Sequence, residues 1–146
     1  MELIQIDEHG MLFVSPEIDD WEPIHTSRIQ TIIDLDGDLD MDVPTAPNNV
    51  LYIYLPIYDE DLPDLHRLHS VARIAADMIR ENRPVLAHCR MGLNRSPLVA
   101  GVALTYLGFN GADALKLLQE KRPGALYNDT FAEYLATLPA HVKPWT

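Results

Sequence analysis

One nine-residue segment contains the side chains best suited to covalent chemistry. It runs from His88 to Ser96 and has the sequence HCRMGLNRS. Cys89 is the only cysteine of the chain, and Arg95 follows it after five intervening residues. An ionised cysteine sulfur is a nucleophile, and a guanidinium can donate two parallel hydrogen bonds to two oxygens of a phosphate. The spacing therefore predicts attack by a thiolate on a phosphate that one short loop surrounds.

The predicted secondary structure around this segment favours anion binding. The apolar run Pro84–His88 predicts a buried strand, and an apolar helix is predicted over about Ser96–Leu107. The first turn of a helix has N–H groups without helical partners and a partial positive charge, so it binds anions. Gly92 allows the backbone to curve tightly between the two elements. The amides, the helix dipole and the nearby guanidinium should all favour the thiolate of Cys89.

A structural role for the cysteine is the alternative. Most lone cysteines are small buried hydrophobic residues. Here a histidine precedes Cys89, and a glycine, an arginine and a serine follow at the third, sixth and seventh positions. From average residue usage, this set accompanies a given cysteine roughly once in a hundred thousand times. The sequence therefore favours chemistry at Cys89 over a purely structural role.

The segment resembles the His-Cys-x5-Arg-Ser/Thr signature of cysteine-dependent phosphatases, and the short chain is similar to their dual-specificity branch. The resemblance extends from about Val50 to Leu138, whereas the first fifty residues fit it loosely. It implies a phosphocysteine intermediate on Cys89 and a reaction without metal or other cofactor. It also implies that Ser96 hydrogen-bonds the sulfur and eases its departure, and that His88 supports the loop and tunes the sulfur. The phosphate-binding residues that it implies are Arg90, Met91, Gly92, Leu93, Asn94 and Arg95.

The reaction also needs a proton donor, because an alkoxide or phenoxide is a poor leaving group at neutral pH. In the family, an aspartate on a mobile loop beyond a strand supplies this proton, and the same carboxylate then activates water. The segment IYDEDLPD offers Asp59, Asp61 and Asp64. Asp59 is the preferred candidate because it lies directly beyond the strand predicted over Tyr52–Ile57. Asp61 is the alternative, and Asp64 is predicted to cap a helix that begins near Leu65.

The rest of the pattern predicts a single α/β domain over residues 1–146, with a central, mostly parallel sheet flanked by helices as in dual-specificity phosphatases. The predicted strands are Met11–Ser15, Ile29–Leu35, Val50–Ile57 and Pro84–His88. The predicted helices are Leu62–Asn82, Ser96–Leu107, a charged helix ending near Arg122, and Asn128–Leu138. Between them, the acidic segment Asp34–Asn49 looks like a calcium loop, but its glycine is fourth rather than sixth and its twelfth residue is not glutamate. We expect this segment to be a solvated connector without a metal.

The net charge and the cysteine content of the chain indicate which binding partners and which cellular compartment to expect. The chain has 11 basic and 22 acidic residues, which gives a formal net charge of −11. Such a field repels nucleic acids and anionic lipids. The single cysteine excludes an internal disulfide, the acidic start does not resemble a signal peptide, and no apolar run reaches the roughly 18–20 residues of a membrane span. We therefore expect a cytoplasmic protein whose partner is a phosphorylated protein, with its oligomeric state left open.

The predicted function is hydrolysis of phosphoproteins with tyrosine or dual specificity. The short chain predicts a shallow site that accepts phosphoserine and phosphothreonine. Asn94 departs from the small residue that many relatives have before the arginine, and asparagine there also occurs in the RNA 5′-phosphatase branch. Phosphoinositide-directed relatives usually have lysines in the loop, where this chain has only Arg90. The alternatives are therefore an RNA 5′-phosphate or phosphoinositide phosphatase, a catalytically idle phosphoprotein-binding module and, least favoured with one cysteine, arsenate reduction or sulfur transfer.

Overall fold

A computed structural model describes residues 1–141 of the chain and confirms the predicted α/β fold. The strands of this described part are β1 (Ile4–Gln5), β2 (Leu12–Ser15), β3 (Thr31–Asp34), β4 (Leu51–Tyr54) and β5 (Val85–His88). Its helices are α1 (Glu22–Thr26), α2 (Leu65–Arg80), α3 (Arg95–Thr105), α4 (Gly111–Lys121) and α5 (Asp129–Thr137). None of these helices combines the length and the apolar character that a membrane span requires.

The strands form one sheet with the order β1-β2-β5-β3-β4. The pairs β2–β5, β5–β3 and β3–β4 are parallel, as predicted. The short strand β1, which the sequence pattern does not predict, pairs antiparallel with β2. Two residues are too few to show the alternation by which a strand is recognised. The register places His88 between Ser15 and Asp34, so the segment after β5 leaves the sheet at the centre of its carboxyl edge.

Helix α3 forms the centre of the larger apolar core. All its residues from Ser96 to Thr105 are buried, because it packs against β2, β5, α2, α4 and α5. A helix that is apolar on every side must be enclosed in this way. On the other face of the sheet, a smaller cluster lies under α1 and consists of Phe13, Ile24, Ile29, Ile32 and Leu86. The helix that follows the signature segment is thus held on all sides.

The end of β4 and the start of α2 position the loop between them. Strand β4 ends at Tyr54, earlier than predicted, although the N–H of Ile57 still donates to the carbonyl of Leu35 over 3.3 Å. The intervening Pro56 has no N–H and interrupts the strand pattern. The apolar periodicity extends from Leu62, but helix α2 begins at Leu65, because the Asp64 carboxylate caps it as predicted by accepting from the N–H of Arg67 over 3.2 Å. The candidate acids therefore lie on a loop at the carboxyl edge of the sheet.

Candidate active site

The segment from Cys89 to Arg95, here called the phosphate loop, curls tightly between β5 and α3. Gly92 has a φ of +69°, and a Cβ atom there would lie 2.7 Å from the backbone carbonyl carbon of Ser15. Only glycine fits such a close approach in a left-handed conformation. The N–H of Cys89 donates to the carbonyl of Ser15 over 3.3 Å, and the N–H of Glu17 donates to the carbonyl of Arg90 over 3.2 Å. The end of β2 therefore fixes the curvature of the loop.

Cys89 and Ser96 lie together at the base of the phosphate loop. The Sγ atom of Cys89 is 3.3 Å from the Oγ atom of Ser96, and both residues are buried. Ser96 belongs to the first turn of α3, whose packing holds its hydroxyl in place. This is the contact expected of a hydroxyl that stabilises a leaving thiolate.

Two backbone carbonyls accept hydrogen bonds from the guanidinium of Arg95, but its Nε–H group has no acceptor in the described part of the chain. Its Nη1 atom donates to the carbonyl of Ile57 over 3.2 Å and to that of Leu35 over 3.4 Å. The same atom is 3.7 Å from a carboxylate oxygen of Asp36. The Nε atom is buried and has no acceptor within residues 1–141. Because a buried donor without an acceptor is costly, this one is suited to an oxygen of a bound ligand.

Three polar side chains, buried or partly buried, surround the buried side chain of His88. Its Nε2 atom lies 2.7 Å from Oδ2 of Asp40 and 3.8 Å from Oδ1 of Asp34. The hydroxyl of Tyr52 donates to Asp34 and accepts from the N–H of Asp40 over 2.9 Å. Burial raises the pKa of Asp34, and burial together with the hydrogen bond to Asp34 raises the pKa of Tyr52. These contacts fix the orientation of the imidazole beside Cys89.

The prediction of a solvated connector over Asp34–Asn49 was wrong for Asp34 and Asp40, whereas residues 37–39 between them are exposed. Asp34 is fully buried, and the side chain of Asp40 is 7% exposed. The alternating aspartates could not reveal this, because Asp40 meets His88 across 48 residues of sequence. The ligand atoms of Asp34, Asp40 and His88 lie within 4.8 Å of one another, so these residues have the donor atoms of a metal site. A cation bound there would have to replace the hydrogen bonds that they make to one another and to Tyr52.

The candidate acid Asp59 lies next to the phosphate loop. The side-chain amide of Asn94 donates to Oδ2 of Asp59 over 2.9 Å, and that of Asn128 donates to Oδ1 over 2.8 Å. In the described part of the chain, hydrogen bonds connect Asp59, and not Asp61, to the phosphate loop or its neighbours. The structure thus places Asp59, rather than Asp61, beside the phosphate loop.

Arg122 supports the outer side of the phosphate loop, a contact that sequence analysis missed. Its guanidinium donates to the carbonyl of Met91 over 3.0 Å and to that of Gly92 over 3.3 Å. Close by, the N–H of Leu126 donates to the carbonyl of Leu93 over 2.7 Å. With several of its carbonyls engaged outside, the loop is held in one conformation. No local pattern marks Arg122 for this contact, which joins residues about thirty positions apart.

Comparison with known proteins agrees with this geometry. A family model described as dual specificity phosphatase, catalytic domain, matches residues 15–139. The dual specificity protein phosphatase OPG106 of Vaccinia virus (strain Western Reserve) is 32% identical to the chain over 83 residues. The alignment covers 56% of this chain and 47% of the viral protein. The chain thus aligns with about half the length of this curated relative.

Solved structures show the same fold over most of the chain. Tk-PTP in the active form has a TM-score of 0.72 and 26% sequence identity, and the match covers 91% of this chain and 92% of that one. Human DUSP28 has a TM-score of 0.76 and 20% identity, with 91% of this chain and 89% of the other covered. At 20% identity the second likeness concerns the fold alone.

Proposed function

Because the chain belongs to the dual specificity phosphatase family, we propose that it is a cysteine-based phosphatase that hydrolyses phosphate monoesters of proteins through a phosphocysteine intermediate. One observation carries the proposal. The buried Nε of Arg95 has no acceptor within residues 1–141, and Arg95 ends the loop that begins with Cys89. An oxygen of a phosphate bound in that loop would satisfy this donor.

In the first step, the thiolate of Cys89 forms a bond to phosphorus while the bond from phosphorus to the leaving oxygen breaks. Arg95 and the amides of the phosphate loop hold the three equatorial oxygens, which aligns the ester for in-line attack. Asp59 gives its proton to the leaving oxygen, so the product departs as an alcohol or a phenol. The loop and the guanidinium supply the positive charge, so this mechanism uses no metal or other cofactor.

In the second step, water forms a bond to phosphorus while the bond from sulfur to phosphorus breaks. The carboxylate of Asp59 takes a proton from that water, and inorganic phosphate is released. The hydroxyl of Ser96, 3.3 Å from the sulfur, donates a hydrogen bond to the departing thiolate of Cys89. His88, held by Asp40, positions the loop and transfers no proton.

We propose phosphoproteins as the substrate class. The net charge of −11 disfavours RNA and anionic lipid, and Arg90 is the only basic residue between Cys89 and Arg95. A short chain with a shallow site would accept phosphoserine and phosphothreonine as well as phosphotyrosine. We place the protein in the cytoplasm, where reducing conditions keep the thiol of Cys89 available. Initial rates on phosphotyrosyl, phosphoseryl, phosphoinositide and RNA 5′-phosphate substrates test this choice.

The central test is turnover of p-nitrophenyl phosphate in excess EDTA. We expect turnover by the wild-type chain, inhibition by vanadate, and none by Cys89→Ser, because serine cannot form the phosphocysteine. Loss of wild-type activity on adding EDTA would contradict the mechanism. Binding of a phosphopeptide without any turnover would instead identify a catalytically idle binding module.

The two candidate acids are compared through matched variants on a phosphotyrosyl peptide. We expect Asp59→Asn to lower kcat by about a hundredfold, because general acid catalysis contributes on that order. Asp61→Asn removes the same charge from the same loop and should change kcat less than about twofold. The opposite result would assign the acid role to Asp61.

A further inference from the structure

Asn94 is the residue directly before α3, but its side chain does not cap this helix. Asparagine is among the best N-capping residues, because its side-chain oxygen accepts from an N–H of the first turn. At α3 the side chain makes no such bond, and Asn94 is 2% exposed. A buried amide must use its donor and its acceptor elsewhere. The N–H groups of the first turn of α3 are thereby left without a side-chain cap at the position where phosphate is proposed to bind.

The amide of Asn94 instead connects two other segments to the phosphate loop. Its Nδ2 atom donates to Oδ2 of Asp59 over 2.9 Å. Its Oδ1 atom accepts from the backbone N–H of Asn128 over 3.0 Å. One side chain thus joins the phosphate loop to the acid loop, defined here as residues 58–61, and to the start of α5.

Asn128 completes the arrangement from the opposite side. Its Oδ1 atom caps α5 by accepting from the N–H of Phe131 over 3.3 Å. Its Nδ2 atom donates to Oδ1 of Asp59 over 2.8 Å and to the carbonyl of Glu60 over 3.2 Å. Each oxygen of Asp59 therefore accepts one amide N–H from a different element. A carboxylate has about four acceptor positions, so each oxygen keeps a lone pair for proton transfer.

We propose that Asn94 and Asn128 are positioning residues that hold the carboxylate of Asp59 at the phosphate loop while it protonates the leaving oxygen in the first step. The proposal rests on the proposed function, because it concerns the acid of that reaction. Asn94 follows the nucleophile within the loop itself, so the loop that binds phosphate also orients the proton donor. An acid held in this way needs less reordering when the ester binds, which lowers the barrier only for substrates that need the proton.

The test compares two leaving groups in Asn94→Ser. Serine is the type of small residue expected at this position, and it removes the amide donor to Asp59. p-Nitrophenol is acidic and leaves as the anion, whereas the phenol released from phenyl phosphate needs a proton. We expect kcat/KM for phenyl phosphate, which reports the steps up to formation of the phosphocysteine, to fall about tenfold, the loss expected for one hydrogen bond to a carboxylate. For p-nitrophenyl phosphate we expect a clearly smaller loss of kcat/KM, because this ester depends little on the acid.

Two further variants keep the result interpretable. Asn128→Ser retains a capping oxygen for α5 and loses the amide donor, so it should show the same dependence on the leaving group. Asn110→Ser makes the same replacement at the start of α4, away from the site, and should leave both rates unchanged. Equal losses of kcat/KM on both esters in Asn94→Ser and Asn128→Ser would overturn the inference, since the residues would then support only the phosphate loop.

Asp59→Asn is measured on the same two esters, so that failure of the inference and failure of the proposed function are distinguishable. If Asp59→Asn shows the dependence on the leaving group and the two serine variants do not, the positioning role is wrong and the acid assignment stands. If Asp59→Asn does not show it, the acid assignment of the proposed function is wrong, and the inference falls with it.

Discussion

The N-terminal ends of α3 and α4 are alike in sequence, but a side chain caps the first-turn N–H groups only at α4. Each is an eleven-residue helix preceded by an asparagine, and the two helices pack against each other. At α4, Asn110 accepts from the N–H of Asp113 over 2.8 Å, and the Asp113 carboxylate lies in the first turn. At α3, Asn94 makes no capping bond, the first turn has no acidic residue, and the first residue is Arg95.

This difference indicates that the N-terminal end of α4 stabilises the fold, whereas the N-terminal end of α3 is suited to binding an anion. Asn110 and Asp113 satisfy the amides and the dipole of α4 from within the helix, so that end has little affinity left for an anion. The end of α3 keeps its dipole and holds the unpaired Nε of Arg95. Stability there comes from the burial of the whole helix, which permits the amides to remain without a side-chain cap. A helix start can therefore bind a ligand when the rest of the helix is held by packing.

The largest expected effect is the loss of activity in Gly92→Ala, which changes the phosphate loop before α3. The added Cβ would lie within 3 Å of the backbone of Ser15 and Pro16, so the phosphate loop must shift. A displacement of about 1 Å in a catalytic site costs about a hundredfold in rate, and we expect at least that loss in kcat for p-nitrophenyl phosphate.

The matched control for Gly92→Ala is Gly108→Ala. Gly108 also has a positive φ, of +105°, but nothing lies within 4 Å of an added Cβ. This variant shares the backbone strain of a left-handed residue, roughly 1–2 kcal/mol, and should retain full activity. Equal rates for the two variants would show that the close approach to β2 does not determine the shape of the loop.

Asn110→Ala should have an intermediate effect, on stability alone. Loss of the cap of α4 is expected to lower the free energy of unfolding by about 1 kcal/mol, measured by urea denaturation. Asn110→Ser keeps an acceptor for the N–H of Asp113 and should recover most of that loss. The rate constant on p-nitrophenyl phosphate should be unchanged in both variants. A large loss of activity in Asn110→Ala would break the distinction between the two helix starts.

The smallest expected effect is a pH dependence of the free energy of unfolding that arises from Asp34, which lies close to His88 before the phosphate loop. Burial raises the pKa of Asp34 above its ordinary value of 3.8, so the folded protein holds this proton more tightly than the unfolded chain. The contribution of Asp34 to stability is therefore fully present below pH 3.8 and is lost as the pH rises through the raised pKa. We measure it as the difference in free energy of unfolding between the wild type and Asp34→Asn. This difference should fall with rising pH, and a difference that increases over that range would contradict the sign.

The local parts of the site could be predicted from sequence because strand, turn and helix signals are short-range. The run Pro84–His88, the glycine and the following apolar helix locate the phosphate loop between β5 and α3. Asp64 was correctly predicted to cap α2, since a capping contact spans only three residues. Asp59 was predicted from its place beyond β4, and its contact with Asn94 supports that choice. The catalytic roles of these residues stay predictions until the variants are measured.

The sequence by itself determined which groups lie in the phosphate loop and directly after it, because Cys89, Arg95 and Ser96 fall within eight consecutive residues whose local conformation follows from their types. Only the tertiary structure decided which distant side chains support them. Asp40 reaches His88, and Asn128 reaches Asp59, across 48 and 69 residues respectively. The physical reason is that such contacts depend on strand order and helix packing, which bring separate loops to the same edge of the sheet.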